Sequence, residues 1–141
     1  MAVKPENQFV SSVHKHLPSI KILHREKMNN EYRGGTADWW YSGTKKDLWI
    51  EYKFLPRVPQ RGTVWLCKPD VKKPDLSRLQ QDWLHGRHVE GRNVAVVVGC
   101  PSGGVVLRDL EWERAFAATE FVSRIQTRTQ LADWIKQETT R

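Results

Sequence analysis

The 141-residue chain predicts an α/β domain: a mixed β-sheet flanked by helices. Three features predict it. Aromatic and β-branched runs flank Gly43-Thr44-Lys45-Lys46, the pattern of a β-hairpin. Val94 to Val98 is an unbroken apolar run, the pattern of a strand buried on both faces. Ser77-x-x-Gln80 and Thr127-x-x-Gln130 each stand at the head of a helical segment, as capping boxes do.

The elements follow in order. Residues 5–17 predict a helix, with Pro5 in its first turn and Phe9, Val10, Val13 and Leu17 on one face. Pro18-Ser19 stops it, and the alternation from Ile20 to His24 predicts a strand. Met28 to Gly35 is polar and predicts a turn. The hairpin comes next, from Ala37 to Phe54. Residues 55–75 carry Pro56, Pro59, Pro69 and Pro74, which exclude a regular helix or central strand across the span. This reads as a basic, proline-rich insert, with a short strand expected at Val64–Cys67. Ser77 to His88 predicts a helix whose apolar stripe is Leu76, Leu79, Trp83 and Leu84. The buried run follows, then a turn at Pro101–Gly104 and a strand at Val105–Leu107. Two more helices are expected, over 109–119 and 129–138. The organisation expected is one domain over 1–141, with a core over 5–107, the insert at 55–75 and C-terminal helices over 108–141.

Composition narrows the function classes. The chain has 23 Lys+Arg against 16 Asp+Glu, a formal net charge of +7. Residues 1–104 hold 17 basic and 10 acidic side chains, whereas 105–141 hold six of each. A basic surface points to a polyanion, with nucleic acid first among them. No apolar run is long enough for a membrane span, and the first residues have no apolar leader segment. Cys67 and Cys100 are far apart, which argues against a disulfide framework or a zinc site. A cytoplasmic location is expected. There is no GxxxxGK[ST] loop, so no nucleotide cofactor is expected, and no G-x-S-x-G or Cys/His nucleophile pattern.

The hairpin holds the chemistry. Glu51 and Lys53 are two apart on one strand and share a face, while Ile50 and Tyr52 face the other way. A largely buried strand needs a reason to carry them, since unpaired buried charge is costly. A Glu51–Lys53 ion pair is the plain explanation. Asp38 offers another. If the turn falls at Thr44-Lys45, Asp38 stands opposite Glu51, with Cβ atoms about 4.5–5.5 Å apart. Two carboxylates that close repel. A divalent cation relieves the repulsion, and Mg²⁺ takes one or two carboxylates with water and phosphate oxygens. With Lys53 beside them, the set suits metal-assisted phosphodiester hydrolysis.

Gly35-x-x-Asp38 followed by Glu51-x-Lys53 resembles the core motif of the PD-(D/E)XK nuclease superfamily, with Ala37 where a proline is usual. Leu76-Ser77-x-x-Gln80-x-x-Trp83, then Gly91-Arg92-Asn93-Val94-Ala95-Val96-Val97, resembles the segment after the catalytic strand in VRR-NUC domains and archaeal-type Holliday junction resolvases. The resemblance covers about residues 5–100. It implies a restriction-endonuclease-like core. It also implies that Asp38 and Glu51 hold Mg²⁺ (or Mn²⁺) with the Tyr52 carbonyl, that Lys53 positions or activates the attacking water, that Glu6 completes the metal site and that Gln80 contacts it from the next helix. Ser77-x-x-Gln80 is equally a plain helix start, and Glu6 is equally a first-turn acid favoured by the helix dipole. Arg57, Arg61, Lys68, Lys72 and Lys73 are the expected DNA phosphate contacts, with a solvated loop as the alternative.

The function expected is therefore a metal-dependent, structure-selective DNA endonuclease, a Holliday junction resolvase first. A homodimer follows from the need for two cuts. The small size resembles phage-encoded members, which would place the protein in a host cytoplasm. The rivals are a flap, single-strand or duplex nuclease of the same fold, and a DNA-binding module without catalysis.

Overall fold

A computed structural model describes residues 3–28 and 34–141. Most of the turn expected at 28–35 lies outside the described residues.

The elements are α1 (Pro5–His14), β1 (His24–Lys27), β2 (Trp39–Ser42), β3 (Asp47–Phe54), β4 (Thr63–Val64), α2 (Arg78–Val89), β5 (Val94–Cys100), β6 (Gly103–Leu107), a 3₁₀ turn (Glu111–Glu113), β7 (Phe116–Ala117), α3 (Ala118–Ser123) and α4 (Arg128–Thr140). Five strands form one mixed sheet in the order β1-β2-β3-β5-β6. The first three are antiparallel neighbours, β3 and β5 are parallel, and β5 and β6 are antiparallel. The parallel pair needs a crossover, and α2 supplies it. β4 and β7 pair in a separate two-stranded ladder.

The alternation of β3 divides the core in two. Leu48, Ile50 and Tyr52 face α1 and α4, packing with Phe9, Val10, Val13, Leu131 and Ile135. Val94, Val96 and Val98 of β5 face the other layer, with Leu76, Leu84, Trp112, Phe116 and Phe121. The full burial of β5 matches its unbroken apolar run, because helices cover both faces. Residues after 108 pack into both layers: α4 closes the first, and the 3₁₀ turn, β7 and α3 close the second.

Both capping boxes form. Ser77 Oγ accepts Gln80 N–H, and Thr127 Oγ1 accepts Gln130 N–H. Four expectations need correction. The first strand is His24–Lys27, not Ile20–His24; Ile20 and Ile22 are 52% and 71% exposed. The expected helix over 109–119 is instead a 3₁₀ turn, a two-residue strand and the start of α3. Asp109 and Leu110 take φ values of 53° and 66°, which no α-helix can propagate. The strand at Val64–Cys67 shortens to Thr63–Val64. Leu79, expected in the apolar stripe of α2, is exposed.

Candidate active site

The β2–β3 register places the candidate residues. Trp39 pairs with Ile50 and Trp40 with Trp49. One step further along the same register sets Asp38 opposite Glu51, as the turn position predicted. At that step the side chain replaces the ladder: Tyr52 N–H donates to Asp38 Oδ2 at 3.2 Å. Met28 N–H donates to the Asp38 carbonyl at 2.7 Å, so β1 fixes Asp38 from the other side. Gly35 matters to the same placement. Its φ is +96°, and a Cβ there would run into the Leu79 backbone carbonyl, so only glycine lets the strand approach lie against the start of α2.

Glu51 is 1% exposed, on the face of β3 whose layer is otherwise aliphatic and aromatic. Gln80 Nε2 donates to its Oε2 at 3.1 Å, and Lys53 Nζ lies 3.7 Å from the same oxygen. Its other oxygen, Oε1, is buried and meets no donor among the described residues; the contact with Asp38 becomes a hydrogen bond only when one of the two carboxyls is protonated. The carboxyl is pushed up to about 9, first by burial and then by the adjacent Asp38; Lys53 offsets only part of this. At neutral pH Glu51 therefore holds a proton unless a cation replaces it.

Glu6 joins from the first turn of α1. A helix N-terminus favours a carboxylate there. Its carboxyl is nonetheless raised, by burial and by a contact with Asp38, against the pull of Lys53 and Lys27. The fold thus brings Glu6, Asp38, Glu51, Lys53 and Gln80 to one end of the sheet. Tyr52 contributes its backbone. A strand residue's N–H and C=O point to the same edge, so its carbonyl faces the edge where Asp38 takes the N–H. The Tyr52 side chain is on the opposite face, with its hydroxyl 2.6 Å from that of Tyr41.

Among the described residues, no three His, Cys, Asp or Glu side chains form a group that could hold a metal ion by themselves. The donors present suit a different class of ion, one bound by one or two carboxylates and completed by water and phosphate oxygens. The orphaned Glu51 Oε1 and the proton forced onto Glu51 both fit such an ion.

No family model matches the chain, and no curated protein matches it. Among solved structures it is similar to Hjc of Archaeoglobus fulgidus, a Holliday junction resolvase from an archaeal hyperthermophile. The two chains share 10% identity at a TM-score of 0.53, over 89% of this chain and 98% of the other. The fold is that of the archaeal resolvase. At this identity the Hjc likeness carries the architecture and no individual residue. The narrower likeness to VRR-NUC domains has no matching family model behind it.

The basic insert is dispersed. Arg57, Arg61, Lys68, Lys72 and Lys73 are all exposed. Arg57 and Lys68 share the wall of a cavity of about 430 Å³ with Leu55 and Asp75, just beyond the end of β3. Arg61, Lys72 and Lys73 lie outside that wall. Sequence reading missed Lys27, whose charge bears on Glu6 and whose Nζ donates to Asn7 Oδ1 at 3.3 Å. Placing the first strand four residues too early left Lys27 outside it.

No described helix is long and apolar enough to cross a membrane.

Proposed function

We propose that the chain is a divalent-metal-dependent endonuclease that cuts branched DNA, as a Holliday junction resolvase. The observation that carries the proposal is the opposed pair of Asp38 and Glu51, with a buried, unpartnered Glu51 Oε1 and Lys53 Nζ 3.7 Å from Glu51 Oε2. The substrate class is supported by the shared fold with a protein that resolves Holliday junctions.

Asp38 and Glu51 would hold Mg²⁺ or Mn²⁺ with the Tyr52 carbonyl, and Glu6, in contact with Asp38, would complete the site from beside that pair rather than as a third direct carboxylate ligand. The ion, when bound, supplies charge stabilisation to the phosphodiester and a more acidic water. The chain's own residues do the rest. Gln80 fixes Glu51 in one orientation through its amide. Burial excludes water from the inner side of Glu51 and strengthens each charge interaction there. Lys53 is the more exposed partner of the pair, its side chain 20% exposed against 2% for Glu51. Its ammonium offsets charge that develops on the attacked phosphate and orients the attacking water. Two symmetric cuts need two such sites, so the working form proposed is a homodimer.

The test is cleavage of a labelled four-way junction beside matched flap, single-stranded and duplex DNA, in Mg²⁺ and in Mn²⁺, with Glu51→Gln alongside. Paired nicks in the junction, lost in the variant, are expected. Cleavage of another DNA in preference retains the site and changes the substrate. No cleavage of any DNA by folded protein overturns the proposal in favour of a binding module.

A further inference from the structure

The face of β3 that carries Glu51 and Lys53 also carries Trp49, two residues back. The first turns of α2 lie over it. Because α2 is the crossover between parallel β3 and β5, it runs antiparallel to β3. Two stripes therefore face each other. Gln80 of α2 meets Glu51, and Trp83, one turn on, meets Trp49 edge-to-face at 5.8 Å between ring centroids. Arg87, a further turn along, continues the α2 stripe. Trp40, the register partner of Trp49, stacks on it at 5.7 Å with 17° between the rings.

Between these stripes lies a cavity of about 710 Å³. Thr36, two residues before Asp38, stands on its wall with Trp49 and Trp83, and three cationic side chains reach it: Lys46, Arg87 and Arg92. Trp49 and Trp83 are each only half-buried, so neither ring is used up by the core. Asp47 also lies on the wall, and Ser42 Oγ donates to it at 2.7 Å. Lys46 and Arg87 have carboxylate partners, Glu138 at 3.6 Å and Glu90 at 2.7 Å, but both side chains are over 40% exposed and such pairs exchange readily for phosphate.

We propose that this trough binds an unpaired nucleotide of the DNA strand adjoining the cleaved phosphate, its base against Trp49 and Trp83 and its phosphates on Lys46, Arg87 and Arg92. The inference rests on the nuclease reading for its placement beside the cut. Aromatic rings with cationic rims are the recognition chemistry of single-stranded nucleic acid, and every base has a face to stack. The charge favours this occupant over a second copy of the chain, since the centres of protein interfaces are depleted of charge. The step from Trp49 to Glu51 is about 7 Å along the strand, or roughly two nucleotides of a DNA strand. A base pair at a branch point can lack a stacked neighbour and so opens at lower cost than one inside a continuous duplex, and by holding the released nucleotide the trough gives this domain a way to select branched DNA over perfect duplex.

The test uses the full chain with fluorescein-labelled octathymidylate in EDTA, so that no cleavage is needed. Binding is expected, with quenching of tryptophan fluorescence. Trp83→Leu, which keeps an apolar side chain against the core, is expected to weaken it about tenfold. Arg87→Gln with Arg92→Gln, which touches no core residue, is expected to weaken binding and to lower the log–log salt slope by about 1.4. Glu51→Gln is expected to bind the oligonucleotide like the parent, so loss of cleavage and loss of this site are read separately. Unchanged affinity and salt slope in the Arg87/Arg92 variant, checked as folded by its melting curve, overturns the proposal. So does a Trp83→Leu variant that changes only its sedimentation coefficient, which assigns the rings to a subunit interface.

Discussion

Gln80 serves the helix with one end of its amide and Glu51 with the other. Its Oε1 accepts the Ser77 N–H at 3.0 Å, closing the capping box, while its Nε2 donates to Glu51 Oε2 at 3.1 Å. The helix cap and the site contact, which looked like rival explanations of one residue, are a single arrangement. The start of α2 is thereby tied to the orientation of the carboxylate.

Gln80→Ala removes both halves. It is expected to cost about 0.5–1 kcal/mol of stability, read by urea denaturation. DNA cleavage is expected to fall about 10–100-fold, the usual cost of losing a partner that orients a metal-binding side chain. Gln80→Glu keeps an acceptor for Ser77 N–H but sets a further carboxylate against Glu51. Stability loss without any loss of cleavage in Gln80→Ala would reduce Gln80 to a cap.

Glu51 trades stability for chemistry. Its carboxyl is raised from 4.5 to about 9 in the folded chain, chiefly by burial and by Asp38. Between those values the folded state holds a proton that the unfolded state has released. Metal-free stability is therefore highest at or below about pH 4.5, as far as this group is concerned, and falls as pH rises toward 9. Glu51→Gln mimics the protonated form. In EDTA it is expected to melt higher than the parent at pH 8 and to show a flatter pH profile from 6.5 to 9, while its cleavage is abolished. A parent melting temperature in EDTA that rises over that pH range would contradict the assignment.

His14 acts in the opposite sense and in a lower window. Its Nε2 lies 2.7 Å from Tyr41 Oη, and burial, with a smaller effect of Arg25, brings it down to about 4. Between about pH 6.5 and 4 the unfolded chain binds a proton there that the folded chain refuses, so stability falls as pH falls through this range. The shift corresponds to an upper bound of about 3 kcal/mol. His14→Gln should remove that acid sensitivity in denaturation curves run at pH 6.5 and pH 4.5. An unchanged difference between the two curves would place the titration elsewhere.

Lys72 and Lys73 are exposed in the proline-rich segment. If they contact phosphate, Lys72→Gln with Lys73→Gln lowers junction affinity and flattens the salt dependence by about two in log–log slope. Fluorescence anisotropy over a salt series reads both. A parental slope would mark the pair as solvated charge.

Much of the site was legible because hairpin geometry is local. Gly43–Lys46 fixes the turn, the turn fixes the register, and the register sets Asp38 against Glu51. Burial of β5 was legible from its uninterrupted valines. The first strand was not, because His24-Arg25-Glu26-Lys27 holds no apolar residue and an edge strand needs none, whereas the alternation of Ile20 and Ile22 lies in an exposed turn. The 109–119 segment misled because Trp112 and Phe116 are four apart, as on one face of a helix, but reach the core beyond a left-handed kink at Asp109 and Leu110. The stripe Gln80–Trp83–Arg87 acquires meaning only once α2 is known to run against β3, and that is a property of topology rather than of spacing.

The decisive measurement is the melting temperature with and without saturating Mn²⁺, for the parent and for Asp38→Asn. An ion held by Asp38 and Glu51 stabilises the fold by mass action, about 2.7 kcal/mol at a hundred times its dissociation constant, or roughly 8 °C for a domain of this size. The parent should show that rise and Asp38→Asn should lose most of it. No rise in the parent, or an equal rise in both, would mean that the carboxylate pair is not the metal centre.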